Sequence, residues 1–156
     1  MKKAICLLIT TVLMSAVSCF ADDVPAGFNP LSAMKDVQAK AALNGKLILL
    51  VVKGGGVDSS IDAGFKAGMN AVGGSVEKIF SRTDEINNAD RSAFPTALKN
   101  MMDKSLFTTG YHIAFVVFDP KMTTVYAEAS GRALVYDKKV YAEFKKKVQE
   151  AKKTLK

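Results

Sequence analysis

The spacing of apolar residues changes several times along the chain, and each change marks an element. From Pro30, Leu31, Met34, Val37 and Ala41 recur at three- and four-residue intervals, which predicts a helix that Gly45 ends. Lys46 is followed by Leu-Ile-Leu-Leu-Val-Val up to Val52. So short an apolar run, β-branched in part and bracketed by glycines, predicts a strand buried on both faces. Lys53 to Ser60 is a glycine-rich turn. Ser59 with Asp62 three residues on makes a capping-box pattern, and Ile61, Phe65, Met69 and Val72 give the helix that follows one apolar face before Gly73 and Gly74 stop it. Val76 to Ser81 reads as a short strand with imperfect alternation, and Asn87 to Ser92 as a polar loop. Phe94, Leu98, Met101 and Met102 mark another helix, with Pro95 in its first turn.

His112 to Phe118 is a second buried strand. Asp119 to Met122 is a turn, and Thr123 to Ser130 alternates as the hairpin partner, ended by Gly131. Lys138 to Lys153 is the final helix, its apolar stripe made by Val140, Phe144, Val148 and Ala151. The order helix, strand, helix, strand, helix, strand, strand, helix predicts a layered α/β domain, a mixed sheet covered by helices. No internal repeat interrupts it.

Residues 1–21 lie outside this pattern. Lys2 and Lys3 precede an uncharged, mostly apolar stretch, and small residues stand at Cys19 and Ala21 ahead of Asp22 and Asp23. That is the layout of a cleavable secretory signal. From Ala4 to Ala21 the uncharged stretch is borderline for a bilayer span. Ser15-Ala16-Val17-Ser18-Cys19 also resembles a loose bacterial lipobox, with Ala16 where leucine is usual. Cleavage after Ala21 is the favoured route. Lipidation of Cys19 is the second, and it would tether a water-soluble domain to a membrane. The expected organisation is a signal over 1–21, a short lead over 22–29 and one domain over 30–156, exported to the periplasm or secreted.

Removal of 21 of the 156 residues leaves 135, enough for one domain with a real core, and takes the net charge from +7 to +5 because two lysines leave with it. Mild positive charge suits acidic surfaces without specifying nucleic acid, and the aromatic residues form no stacking platform. Both cysteines, Cys6 and Cys19, fall in the signal. The exported domain is therefore expected to hold together by its core alone, without disulfides or cysteine chemistry.

Three stretches together resemble the thioredoxin-like superfamily. Ala39-Lys40 through Asn44-Gly45-Lys46 and the apolar run after it is similar to the opening helix and strand of exported members. Lys53-Gly54-Gly55-Gly56-Val57-Asp58-Ser59-Ser60 stands where they carry their active-site turn. Gly110-Tyr111 to Pro120, with Thr123 to Gly131, looks like their closing hairpin. The resemblance spans residues 30–155 and implies a three-layer sandwich, a mixed sheet flanked by helices. The family's Cys-x-x-Cys would fall near Val57-Asp58-Ser59-Ser60, and its cis-proline near His112 or Ile113. Neither is present. Thiol–disulfide exchange needs a thiolate, which a serine hydroxyl does not replace. The resemblance thus implies a non-redox member, a binding or structural module whose partner is an envelope protein or ligand that the sequence does not identify.

Gly55, Gly56, Asp58, Ser59, Ser60 and His112 are the candidate binding residues. Backbone N–H groups of a glycine turn before a helix suit an anion, although the Gly-Lys-Ser/Thr ending of a nucleotide loop is absent. Capping of the helix by Ser59 or Ser60 accounts for the same residues without a ligand. Asp58, Ser59 and His112 could instead compose a hydrolytic site, but no nucleophile elbow surrounds them. Ser75-Val76-Glu77-Lys78 matches a bare Ser-x-x-Lys, without the companion motifs of that enzyme class. One histidine and no thiol argue against zinc. Asp84, Glu85, Asn87, Asn88 and Asp90 lack the spacing of a calcium loop, and Met101 and Met102 share a helix face with Leu98, as core residues do. No metal or cofactor is expected. The lysines at the C-terminus fit the helix dipole and a solvated face, with anionic lipid or cell-wall polymer as the alternative contact.

Overall fold

Six consecutive apolar side chains, Leu47 to Val52, are each no more than 2% exposed, and this strand organises the protein. The computed structural model describes residues 24–55, 59–104, 107 and 112–155. In chain order the elements are β1 (Asn29–Pro30), a 3-10 turn (Leu31–Ala33), α1 (Met34–Asn44), β2 (Leu47–Lys53), α2 (Ser59–Val72), β3 (Val76–Arg82) and α3 (Thr83–Asn88). A 3-10 turn (Arg91–Ala93), α4 (Thr96–Met102), β4 (Ile113–Phe118), β5 (Val125–Ser130), α5 (Gly131–Tyr136) and α6 (Lys138–Thr154) follow.

The five strands form one sheet in the order β1-β3-β2-β4-β5. β2 pairs parallel with β3 from Leu47↔Val76 to Lys53↔Arg82, and antiparallel with β4 from Ile48↔Phe118 to Lys53↔Ile113. β1 joins β3 in parallel at the edge, and β5 joins β4 antiparallel. Alternate residues of each strand feed two cores. Ile48, Leu50, Val52, Ala114, Val116 and Phe118 face α1, α3 and α4. Leu47, Leu49, Val51, Ile113, Phe115 and Val117 face α2, α5 and α6. The predicted mixed α/β sandwich is therefore present.

Helix α1 starts after the 3-10 turn rather than at Pro30, because Asn29 and Pro30 are held as an edge strand and Asn29 Nδ2 donates to Lys78 O at 3.1 Å. It ends at Gly45, whose φ of 59° is the left-handed conformation that favours glycine. Helix α2 ends against α6, where Lys152 Nζ donates to Val72 O at 2.7 Å and Gly74 O at 2.6 Å. Burial holds the Lys152 ammonium below its ordinary pKa. The β4–β5 turn closes on Asp119, whose carboxylate accepts the N–H groups of Lys121, Thr123 and Thr124.

Three further elements differ from the sequence expectation. Helix α4 starts only at Thr96, with Phe94 extended and Pro95 at its N-cap. The stretch read as loop from Asn87 begins inside α3, where the buried Ile86 docks the helix and Glu85 Oε2 accepts the Arg82 N–H at 3.3 Å. Gly131 does not end the hairpin in open chain. It starts α5, with Ser130 Oγ accepting the Ala133 N–H at 3.2 Å as its cap.

Helix α2 approaches the sheet and α5 through glycines. A Cβ on Gly64 would stand 3.0 Å from the Gly131 Cα, and one on Gly131 would collide with Ile113. A Cβ on Gly68 would enter the ring of Phe115, which is fully buried. Gly68→Ala is expected to destabilise the protein by about 1–3 kcal/mol, although alanine is the better helix former, because the ring has no free space to take. Gly55→Ala, where a Cβ meets nothing within 4 Å, is expected to stay within about 0.5 kcal/mol of the parent. Denaturant unfolding of both variants checks this, and equal stabilities would refute it.

Candidate functional site

β2 has a parallel neighbour on one side and an antiparallel one on the other, and its C-terminal end leads through the glycine turn into α2. Ligands of open α/β sheets sit beyond the C-terminal ends of strands. Lys53 is the last registered residue there, opposite Arg82 on one side and Ile113 on the other. One step further the Gly54 N–H donates to His112 O at 2.9 Å, so the glycine turn is fastened by backbone to the start of β4. Thr83 Oγ1 donates to Lys53 O at 3.3 Å and ties in the end of β3. Ser130 pairs with Ala114, which brings the start of α5 to the same end.

The structure thus brings His112 and the Gly54–Gly55 turn together, as the sequence suggested. His112 is half-buried, Gly54 buried and Gly55 exposed. Ser60 is half-buried in the first turn of α2. Ser59 is already the first residue of that helix, which moves it off the cap position the sequence assigned to it. Gly56, Asp58, Cys19 and the side chain of Ser59 lie outside the described residues, so the hydrolytic grouping of Asp58, Ser59 and His112 has no described geometry.

Sequence reasoning missed the residues that rim this end. Lys53 and Arg82, register partners across β2 and β3, are exposed there, and so is Arg132 in the first turn of α5 beyond the end of β5. Arg82 Nε binds Asp84 Oδ1 at 3.1 Å. The rim is cationic, and the turn beneath it offers main-chain groups and one imidazole. That chemistry suits recognition of a polar or acidic group.

The acidic residues considered for calcium are engaged locally. Glu85 accepts from Ser81 Oγ at 3.0 Å, and Asp90 accepts from Ser92 N at 2.8 Å and Ser92 Oγ at 2.8 Å. The Ser92 backbone and hydroxyl hydrogen bonds hold the Asp90 carboxyl below its ordinary range. Among the described residues no group of three His, Cys, Asp or Glu side chains is placed to hold a metal ion. Met101 and Met102 are buried in the α1/α4 core, and Lys78 sets its ammonium 5.5 Å from the Phe28 ring centre. A scan against protein-family models, a search of curated proteins and a search of solved structures each found no match to this chain.

At the opposite end of the sheet lies a buried carboxylate. The Glu77 side chain is 8% exposed and binds Lys40 Nζ at 3.0 Å and Lys46 Nζ at 3.2 Å. Burial pushes its pKa up, but the hydrogen bonds and charges of Lys40 and Lys46 together outweigh burial and hold it below the ordinary 4.5. A lowered carboxyl pKa stabilises the fold above 4.5, and that contribution is lost as the pH falls through the folded-state value. Glu77→Gln is expected to cost about 1–2 kcal/mol at neutral pH and to flatten the stability loss below about pH 4.5, seen in urea midpoints taken across that range. An unchanged acid limb in the variant would refute the assignment.

Proposed function

We propose that the chain is an exported, thioredoxin-like domain without redox activity, acting as a binding or structural module in the cell envelope. The observation that carries the fold reading is the mixed sheet: order β1-β3-β2-β4-β5, with β4 alone running opposite to the other four strands. A mixed sheet flanked by helices is compatible with the three-layer sandwich that the resemblance implies. The glycine turn then occupies the place of the active-site turn, at the head of α2, and carries no cysteine.

The contact surface is the sheet end where Gly54 is bonded to His112, rimmed by Lys53, Arg82 and Arg132. Its ligand is a polar or acidic group of an envelope protein or small molecule. Export rests on residues 1–21, with their two lysines, apolar stretch and small residues before Asp22.

The open space around Gly55 makes the test direct. A photocrosslinking amino acid placed at residue 55 is expected to trap one recurrent partner in the native envelope. The same group at Leu43, exposed on α1 away from this sheet end, is expected not to trap it. Equal labelling from both positions, or none from residue 55, would argue against this surface. Intact mass of the processed protein separates a chain starting at Asp22 from one starting at lipidated Cys19.

A further inference from the structure

Helix α6 carries a row of charge that nothing in the domain uses. Lys138, Ala142, Lys145, Gln149 and Lys153 follow at four-, three-, four- and four-residue spacing, so they lie along one face, and all five are exposed. Lys139 and Lys146 flank the row. The helix's two acids, Glu143 and Glu150, lie to one side and pair with Lys147 at 2.8 Å and Lys146 at 3.9 Å. Among the described residues Lys138, Lys139, Lys145 and Lys153 form no ion pair. Two residues before the row, at the end of α5, Tyr136 is 72% exposed.

We propose that this face seats the domain on an anionic lipid bilayer, the four lysines lying against headgroups and Tyr136 entering the interface. Three observations select a bilayer over other polyanions. The charge is spread over about 22 Å of a straight helix, matching a plane of headgroups rather than converging on one group. The cations are lysines, point charges without the planar fork that reads phosphate in a specific geometry. Tyr136 supplies an amphipathic ring of the type enriched at membrane–water interfaces. The chain also enters the domain on this side, since Val24 and Phe28 pack into the core that α2 and α6 cover. No helix among the described residues is long and apolar enough to cross a membrane, so the contact is peripheral. The proposal stands apart from the thioredoxin-like reading and from the surface at Gly55.

The test uses the full chain with phosphatidylcholine vesicles, with and without about 30% phosphatidylglycerol. The signal is the difference between the two, which cancels any contribution of the apolar stretch in residues 4–21. The parent is expected to prefer anionic vesicles and to lose that preference at about 0.5 M salt. Each lysine replaced by glutamine should cost about fivefold in affinity, and the K138Q/K139Q/K145Q/K153Q variant should lose the preference altogether while keeping its circular dichroism. Because the chain contains no tryptophan, Tyr136→Trp gives a single reporter. Its emission should shift to the blue with anionic vesicles and stay put with soluble polyglutamate. Equal binding to neutral vesicles, retained preference in the quadruple variant, or the same shift with polyglutamate would each overturn the proposal.

Discussion

The structure depends on the burial of β2 from both sides. Its side chains alternate between two cores, and each apolar residue so buried contributes about 1.5–3 kcal/mol relative to exposure. A strand with no solvent face requires a helical layer above and below and a hydrogen-bonded neighbour at each edge. β3 and β4 are those neighbours, one parallel and one antiparallel. The candidate surface lies at the C-terminal end of this same strand, so its position follows from the constraint that stabilises the core.

The second layer adds a constraint of its own. Helix α2 lies close to the sheet and to α5 because Gly64, Gly68 and Gly131 present no side chains where backbone and ring atoms meet. Glycine inside a helix costs about 1 kcal/mol relative to alanine. Here that cost is offset by contact with Ile113 and Phe115, both buried beneath α2. Since α2 leads out of the glycine turn, the seam also fixes where the head of the helix stands relative to His112. Packing of the layer and geometry of the surface are one problem, solved by the same three residues.

Much of this was legible in the sequence. The apolar runs of β2 and β4 and the stripes of α4 and α6 are long or regular enough to name their elements, and Asp119 marks its turn. His112 groups with the glycine turn as a candidate binding residue in the sequence, and the Gly54–His112 main-chain bond shows the two adjacent. The rest was hidden for physical reasons. α3 and α5 are six residues each, too short for a periodic stripe, and are held by single buried anchors, Ile86 and Leu134. Glu77 looked like a solvent residue because its lysine partners come from α1 and from the residue before β2. Lys53 and Arg82 face each other only through strand register, and Arg132 comes to the same sheet end only through the order of strands, neither of which a single sequence displays. In α2 Phe65 and Met69 of the predicted face are half-buried, while Gly64 and Gly68, the residues just before them, make the closest contact. A search for bulky residues looks past such a contact.

The turn at Gly54 is tied to the sheet through main-chain atoms. It is fixed by a main-chain hydrogen bond to His112, and its neighbour Lys53 by the Thr83 hydroxyl. Neither bond involves the side chain of a turn residue. Changing the side chains of Gly54's neighbours in the turn therefore leaves these two ties to the main chain in place. The charges follow the same division. At the closed end, Glu77 neutralises Lys40 and Lys46 and serves the fold. At the open end Lys53 and Arg132, and along α6 Lys138, Lys139, Lys145 and Lys153, are exposed and form no ion pair among the described residues, whereas Lys146 and Lys147 pair with the helix's own acids and Lys152 is bonded to Val72 O and Gly74 O. Charges that stabilise nothing internally are free to act on something outside, and they lie on two surfaces that the fold keeps apart.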